Sequence, residues 1–410
     1  MGLGSQGVIG EYKSGTQIIP ADRLDLSIDD IIDYLNVDRM MLVMLLSKIG
    51  KKKVDEMEHS WWTQEKKADW VLLDANPEGG NWAGGAAVDG DIDIKNATDA
   101  WLFAVGDVVM LPHIDLTTQY LVTGVSSTTL SLLTVDNTTT KDFSANPNSD
   151  KYIFRVSTSF EEGSGKGTIK SEAPTKVYNM VQIFQTPMGL TTTAQHVKYR
   201  GTDEWTKQAY ERAIDHEFDI EKQFFFGMRA ANTTGLTNGV YQQHFMGGLT
   251  DATIGAQNTD SQASLTQKEW TTWLSTWLKY ARSPLAFLGE LIFEALSFWA
   301  EAKLQLVRSE DTLGMAIGRY TDPFGKEVMF TPHRELLSGS YAGYEARGLA
   351  FGVDISDLEY RYLDGLDTHV AVDIQDPDLK QKIDEWRSWV TLKIGNGKRH
   401  GILEDVAAYT

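Results

Sequence analysis

The sequence of 410 residues contains no cysteine. Disulfides and thiolate metal sites are therefore excluded, and the chain suits a reducing compartment. Long hydrophobic runs are also missing. The longest, Met40 to Leu46, has seven residues, against roughly 20 for a bilayer span. The opening MGLGSQGVIGEYKSG lacks the charged start and apolar stretch of a signal peptide. A soluble protein, made and kept in the cytoplasm of its producing cell, is expected. Positive charge is scarce: 38 Lys and Arg face 57 Asp and Glu, a net of −19. Such a surface repels phosphates, which disfavours a sequence-specific DNA binder. A protein living beside concentrated nucleic acid without sticking to it would be this acidic, and so would one merely kept soluble. Internal repeats and low-complexity tracts are absent.

What is present is ordinary for a globular chain. Hydrophobic residues make up 42% and charged residues 23%, which excludes wholesale disorder or a fibrous repeat. The length suggests roughly two to three domains at about 150 residues each and permits a large core without staples.

Residues 1–26 read as an extended arm. A helix is expected over Asp29 to Gly50, opened by Ser27 and Asp30 and stopped by the glycine. Residues 61–100 are rich in Gly and Ala and only weakly alternating, which suggests an extended two-stranded arm packed on something else. VGDVVMLPHI, QYLVTGVSS, TTLSLLTVD and KYIFRVS then form four short strand signals separated by turn residues, a small all-β module at 101–156. FEEGSGKGTIKSEAP is a polar loop, and KVYNMVQIFQTPMGLTTTA a returning strand. The strongest helix signal runs from Thr202 to Ala231, with Tyr210, Ile214, Phe218, Phe225 and Met228 on one stripe. Thr266 with Glu269 makes a capping box. Behind it Trp270, Trp273, Leu274, Trp277, Leu278 and Ala281 repeat at helical spacing. A further helix is expected from Gly289 to Leu306, with Ile292, Ala295, Leu296, Trp299 and Ala302 inward. MAIGRYT, EVMFTPH, ARGLAFGVDI, LEYRYLD, HVAVDI and WRSWVTLKI read as strands. The plan is α+β rather than alternating βαβ.

The search for chemistry finds little. Gly163 to Thr168 looks like a phosphate loop but has Phe160 where the first glycine is required and Gly167 in place of the hydroxyl, so it reads as a linker. Asp89, Asp91 and Asp93 resemble the start of a calcium loop, but Ile94 and Ala100 fill the Gly and Glu places. They read as a solvated acidic turn. His216, Glu217 and Glu221 share the long helix with no second histidine at ligand spacing, so a solvent-facing charge pattern is expected. No GxSxG elbow exists, and a Ser–His–acid set would have to form in space. The tryptophans at 270, 273 and 277 could be sugar platforms, but their leucine-lined stripe favours core or subunit packing. No cofactor or metal site is expected, and no enzyme.

Several phrases together resemble the HK97 fold of tailed-phage major capsid proteins. LLSKIGKKKVDEMEHSWW is similar to an arm-to-hairpin junction of that family. QIFQTPMGLTTTAQHVKYRG followed by DEWTKQAYERAIDHEFDIEKQFFFG resembles the start of its long spine helix. NGVYQQHFMGGL resembles the exit into the axial domain, and WVTLKIGNGKRHGILEDV the closing strand. The resemblance implies an N-terminal arm at 1–60 and an extended loop at 61–190 holding the inserted β module at 101–156. It places the peripheral domain at 191–240 with the spine helix, the axial domain at 241–370, and closing peripheral strands at 371–410. It implies hexamers and pentamers that tile an icosahedral or prolate head around double-stranded DNA. Scaffolding, portal and decoration proteins would be partners. Assembly would take place in the host cytoplasm, and the product would be a virion. Trp61, Trp62, Trp70, Trp82, Lys66 and Lys67 become candidate inter-subunit contacts. Cross-linking through Lys66, Lys67, Lys166 or Lys170 has no local support, and these read as solvated lysines. No cleavable scaffolding segment is visible, so a separate scaffold or earlier processing is expected. The alternatives are a head decoration or receptor-binding protein using 101–156, and a secreted carbohydrate-active enzyme. The first is opposed by the long helix and arm, the second by the missing signal peptide.

Overall fold

The computed structural model describes residues 41–64, 69–78, 89–113, 115–139, 151–171, 173–197, 204–232, 243–299, 318–321, 325–334, 336–341 and 344–410. The expected arm at 1–26, the helix start at 29–40, Trp82, Lys66, Lys67 and Ala302 lie outside them. The described helices are α1 (Met41–Ile49), α2 (Thr192–His196), α3 (Glu204–Phe226), α4 (Gln267–Leu278) and α5 (Glu290–Trp299). The chain forms two compact units, residues 1–61 with 177–410, and residues 62–176.

The first unit contains two larger sheets. A five-stranded sheet has Gln381–Ile394 at its centre, antiparallel to Gln182–Thr191 on one side and to Leu358–Leu363 on the other. Lys52–Val54 adds a parallel edge, and His369–Ala371 also pairs with the central strand. The register runs from Gln182 opposite Val390 to Thr191 opposite Gln381. Successive side chains therefore alternate faces. Phe184, Met188, Asp384, Ser388, Val390 and Leu392 point to the buried side.

The six-stranded sheet has the order Asn258–Ser261, Gly401–Glu404, Ala350–Asp354, Pro284–Leu288, Glu327–Pro332, Gly318–Thr321. Pro284–Leu288 and Ala350–Asp354 are buried along their whole length. That suits central strands covered on both faces. Leu285, Phe287, Phe351 and Val353 face a core shared with α1 and α3. Ala286, Leu288 and Ala350 face a second core built on α4 and α5. Trp270, Trp273 and Trp277 fill that second core, each 1% exposed or less. The capping box holds: the Glu269 N–H donates to Thr266 Oγ1, and the Thr266 N–H donates to Glu269 Oε2. Trp277 packs closely on the sheet because Gly352 and Gly401 leave room. A Cβ at either would stand 2.5 or 2.7 Å from its ring.

The second unit is a closed barrel. Its strands run Trp70–Glu78, Asp89–Ile94, Thr129–Thr134, Gln119–Ser126, Asp107–Met110, Tyr152–Thr158 and back to the first. Val71, Leu73, Ile92, Ile94, Val109, Leu111, Tyr120, Val122, Leu130, Leu132 and Ile153 fill it. The four expected strand signals all appear. The barrel also takes in Trp70–Glu78 and Asp89–Ile94, which is a departure from the expected extended arm. The reason is alternation: in DGDIDI only Gly90, Ile92 and Ile94 point inward, too weak a signal to stand out among aspartates. Asp89, Asp91 and Asp93 therefore ride on a strand and do not form an acidic turn.

The long helix also differs from expectation. It ends at Phe226, not Ala231. Gly227 donates to the Gln223 carbonyl, and a Cβ there would sit 2.4 Å from that oxygen. Its buried residues are His216, Ile220, Glu221, Phe224 and Phe225. Tyr210 and Met228, placed on the expected stripe, are 61% and 72% exposed.

Candidate functional site

The polar residues of α3 are the first surprise. His216 and Glu221, expected in solvent, are both fully buried. Each finds partners far away in sequence, which no local pattern could display. Glu221 Oε1 accepts the Leu42 N–H at 2.8 Å, and Oε2 accepts the Val43 N–H at 2.7 Å. First-turn N–H groups have no partner within their own helix. A carboxylate there satisfies them and sits well in the helix dipole. His333 completes the site. Its Nδ1 accepts the Leu336 N–H at 3.2 Å, so Nε2 carries the proton that faces Glu221 Oε1 at 3.3 Å. The N-terminal end of α1 is thus pinned to the middle of α3.

His216 makes a second internal tie. Its Nδ1 is 2.9 Å from Thr186 Oγ1 and its Nε2 2.6 Å from Ser388 Oγ. A serine beside a histidine invites a nucleophile reading, but here Ser388 is itself fully buried. The third partner is a hydroxyl where a triad would need an acid. The group joins α3 to the five-stranded sheet. Nearby, a shallow cleft of about 240 Å³ is lined by Val43, Met44, Lys51, Glu217, Tyr360 and Thr368. Burial pushes the Glu217 carboxyl upward. Lys51 Nζ reaches Asp367 at 3.2 Å and lies 4.6 Å from the Tyr360 ring centre.

In the barrel, Asp107 is the charged hub. It takes the Ala104 N–H at 2.8 Å, an Arg155 Nη at 3.0 Å and Lys170 Nζ at 2.5 Å. Lys170 is therefore partly buried in an ion pair, contrary to the solvated-lysine reading. It also donates to the Leu102 carbonyl. Lys166 and the glycines around it are exposed, as a linker requires. Among the described residues, no three Asp, Glu or His side chains cluster as metal ligands.

The candidate contact residues separate. Trp61 is buried within its own chain, its indole donating to the Gly395 carbonyl at 3.3 Å and its ring 5.6 Å from His59. Trp62 is 67% exposed. Trp70 is half-exposed and stacks on Phe154 at 4.3 Å, with Tyr152 and Val156 exposed along the same barrel strand. This aromatic stripe, spread over two adjacent strands, is visible in sequence only after the strand register is known.

Among the described residues these features are ties and surfaces, and the cleft beside α3 gathers no set of reactive groups. The sequence model of the family described as SU10 major capsid protein matches residues 11–407. The chain belongs to this family. It is a structural capsid subunit and not an enzyme. Capsids are also found among similar solved structures. A chain from the capsid of the empty GTA particle is 9% identical, with 94% of this chain and 97% of that chain covered and a TM-score of 0.44. A chain of Gordonia phage Cozz is 10% identical over 97% of this chain and 98% of that one, with a TM-score of 0.41. The SrpI encapsulin of Synechococcus elongatus PCC 7942 is 10% identical over 58% and 79%, with a TM-score of 0.41. No curated protein matches the chain. As a member of a major capsid protein family the chain is a virion component. The tryptophans of α4 belong to its core and are not sugar platforms.

Proposed function

We propose that this capsid subunit forms hexamers and pentamers that close into an icosahedral or prolate HK97-type head around double-stranded DNA. The family match across residues 11–407 carries the reading. Assembly in the host cytoplasm belongs to the proposal, as does help from scaffolding, portal or decoration proteins. The domain plan is proposed with it. Residues 1–60 act as the arm, and 61–190 act as the loop that reaches neighbours and carries the barrel. The segments 191–240 and 371–410 act as the peripheral domain, and 241–370 as the axial domain. Trp62 and Trp70 supply exposed aromatic area of the kind that buries well against a neighbour, whereas Trp61 serves the subunit's own interior. A net charge of −19 supports the reading, since an acidic subunit does not bind the phosphates it encloses.

The test is negative-stain electron microscopy with sedimentation of the full chain, alone and co-expressed with its neighbouring head proteins. Shells, tubes or six-fold rings are expected. Small discrete oligomers under both conditions would overturn the proposal. Deleting residues 1–26 should leave soluble folded subunits whose assembly yield falls several-fold. Unchanged yield would remove the arm from the assembly reading.

A further inference from the structure

His216 is a titratable group buried at the seam between α3 and the five-stranded sheet, and the capsid assignment makes no use of it. Its surroundings decide its protonation. Ser388 has a single hydroxyl hydrogen, and it donates that hydrogen to Thr368 Oγ1 at 2.9 Å. Ser388 Oγ can then only accept from His216, so Nε2 carries the ring proton. Nδ1 is left as the acceptor for the Thr186 hydroxyl. The neutral ring is thereby held in one tautomer. One side is closed by a chain of hydroxyls, and the other opens on Thr186, which is only partly buried.

That asymmetry gives a route for a proton. Thr186 can pass its hydrogen to Nδ1 and take another from solvent. Afterwards both ring nitrogens are donors, and Thr186 Oγ1 must turn from donor to acceptor. Among the described residues, no carboxylate is in contact with the new cation. Asp219 on α3 and Glu385 on the central strand act on it at longer range. The strand Gln182–Thr191 offers Thr186 and the edge of Phe184, whose ring centre is 6.4 Å away. Glu217, next to it on α3, lines the cleft with Lys51. A charge placed in this seam is poorly compensated, because burying an ion without a paired partner is costly.

We propose that His216 is a proton-operated release between α3 and the five-stranded sheet, closed when neutral and loosened when protonated through Thr186. The sign follows from burial, which favours the neutral ring and moves its titration below the ordinary 6.5. The stability it contributes is complete above 6.5 and is lost as pH falls through the lowered value in the folded chain. Within that window opening takes up a proton and so becomes more frequent as pH falls, by at most tenfold per pH unit for one proton.

The test is hydrogen exchange of the full chain between pH 7.5 and 5, corrected for intrinsic rates and followed at the amides of 381–394 and of α3. Wild type should show a rise in opening as pH falls below 6.5. His216→Gln keeps an amide in place of the ring and cannot titrate, so its rise should drop to the part carried by His59, whose titration burial lowers to about 4. His59→Gln serves as the control that should retain the His216 part. An equal rise in His216→Gln would overturn the proposal. Should that variant fail to fold, nitrogen-15 NMR of labelled histidine in wild type gives an independent reading. It should show the Nε2–H tautomer at pH 7.5 and a titration midpoint below 6.5. An Nδ1–H tautomer, or a midpoint at or above 6.5, would overturn it as well.

Discussion

Glu221 shows how much one side chain can hold. It satisfies the Leu42 and Val43 amides and faces His333. Replacing it with alanine leaves these groups buried without a partner, a cost of about 3 kcal/mol. Glu221→Ala should lower the denaturant midpoint and expose the α1 amides to exchange, while Glu221→Gln, which keeps one acceptor, should lose less. An unchanged midpoint for the alanine variant would contradict the cap. Glu359 offers an acid-side reading. Burial pushes its carboxyl upward, but Lys52, Arg361 and Lys393 outweigh this and bring it down to about 2. Its contribution is therefore full above 4.5 and lost as pH falls toward about 2. Glu359→Gln should flatten the acid limb of the stability profile in that range, as read by chemical denaturation at each pH. Neither residue stands out in the sequence. His216 finds Ser388 across 172 positions and Glu221 finds Leu42 across 179. A hydropathy stripe scores such residues as solvent-facing, because it sees the charge and not the partner.

Helix α4 behaves in the opposite way. Its cap, its tryptophan stripe and its burial all agree with the local pattern. Every determinant lies within one or two turns, so nothing distant was needed to read it. The sheet beneath adds what the stripe could not show, the bare backbone at Gly352 and Gly401 under the Trp277 ring. Gly352→Ala should cost about 1–3 kcal/mol through overpacking, seen as a lower melting temperature. Adding Trp277→Phe to Gly352→Ala should recover part of the loss, since the smaller ring leaves space for the methyl group. Simple additivity of the two costs would show that they do not meet. The barrel lies between these cases. Its four β-rich strands were plain in sequence, whereas Asp89–Ile94 hid its inward isoleucines among aspartates. The closure of the barrel depends on pairing Trp70 with Phe154, across a span that no turn signal links.

The two units have separate hydrophobic cores, the barrel's being built wholly from residues 71–153. A fragment of residues 62–176 should therefore fold alone, with a cooperative melt and a Tyr120 hydroxyl still pushed up to about 12 by burial. A fragment without cooperative unfolding would show that the barrel depends on the rest of the chain. The first unit has no such independence along the chain. Its five-stranded sheet is centred on Gln381–Ile394, which sits between strands that begin at Gln182 and Leu358. On the ribosome the barrel has all its strands by Thr158, while the other unit waits more than two hundred residues for its middle. Contacts that distant in sequence close slowly. A subunit still being translated thus holds a finished barrel and an unfinished seam. Until Gln381–Ile394 emerges, Gln182–Thr191 and Leu358–Leu363 lack the strand that joins them, and their edges stand open to pairing with another chain.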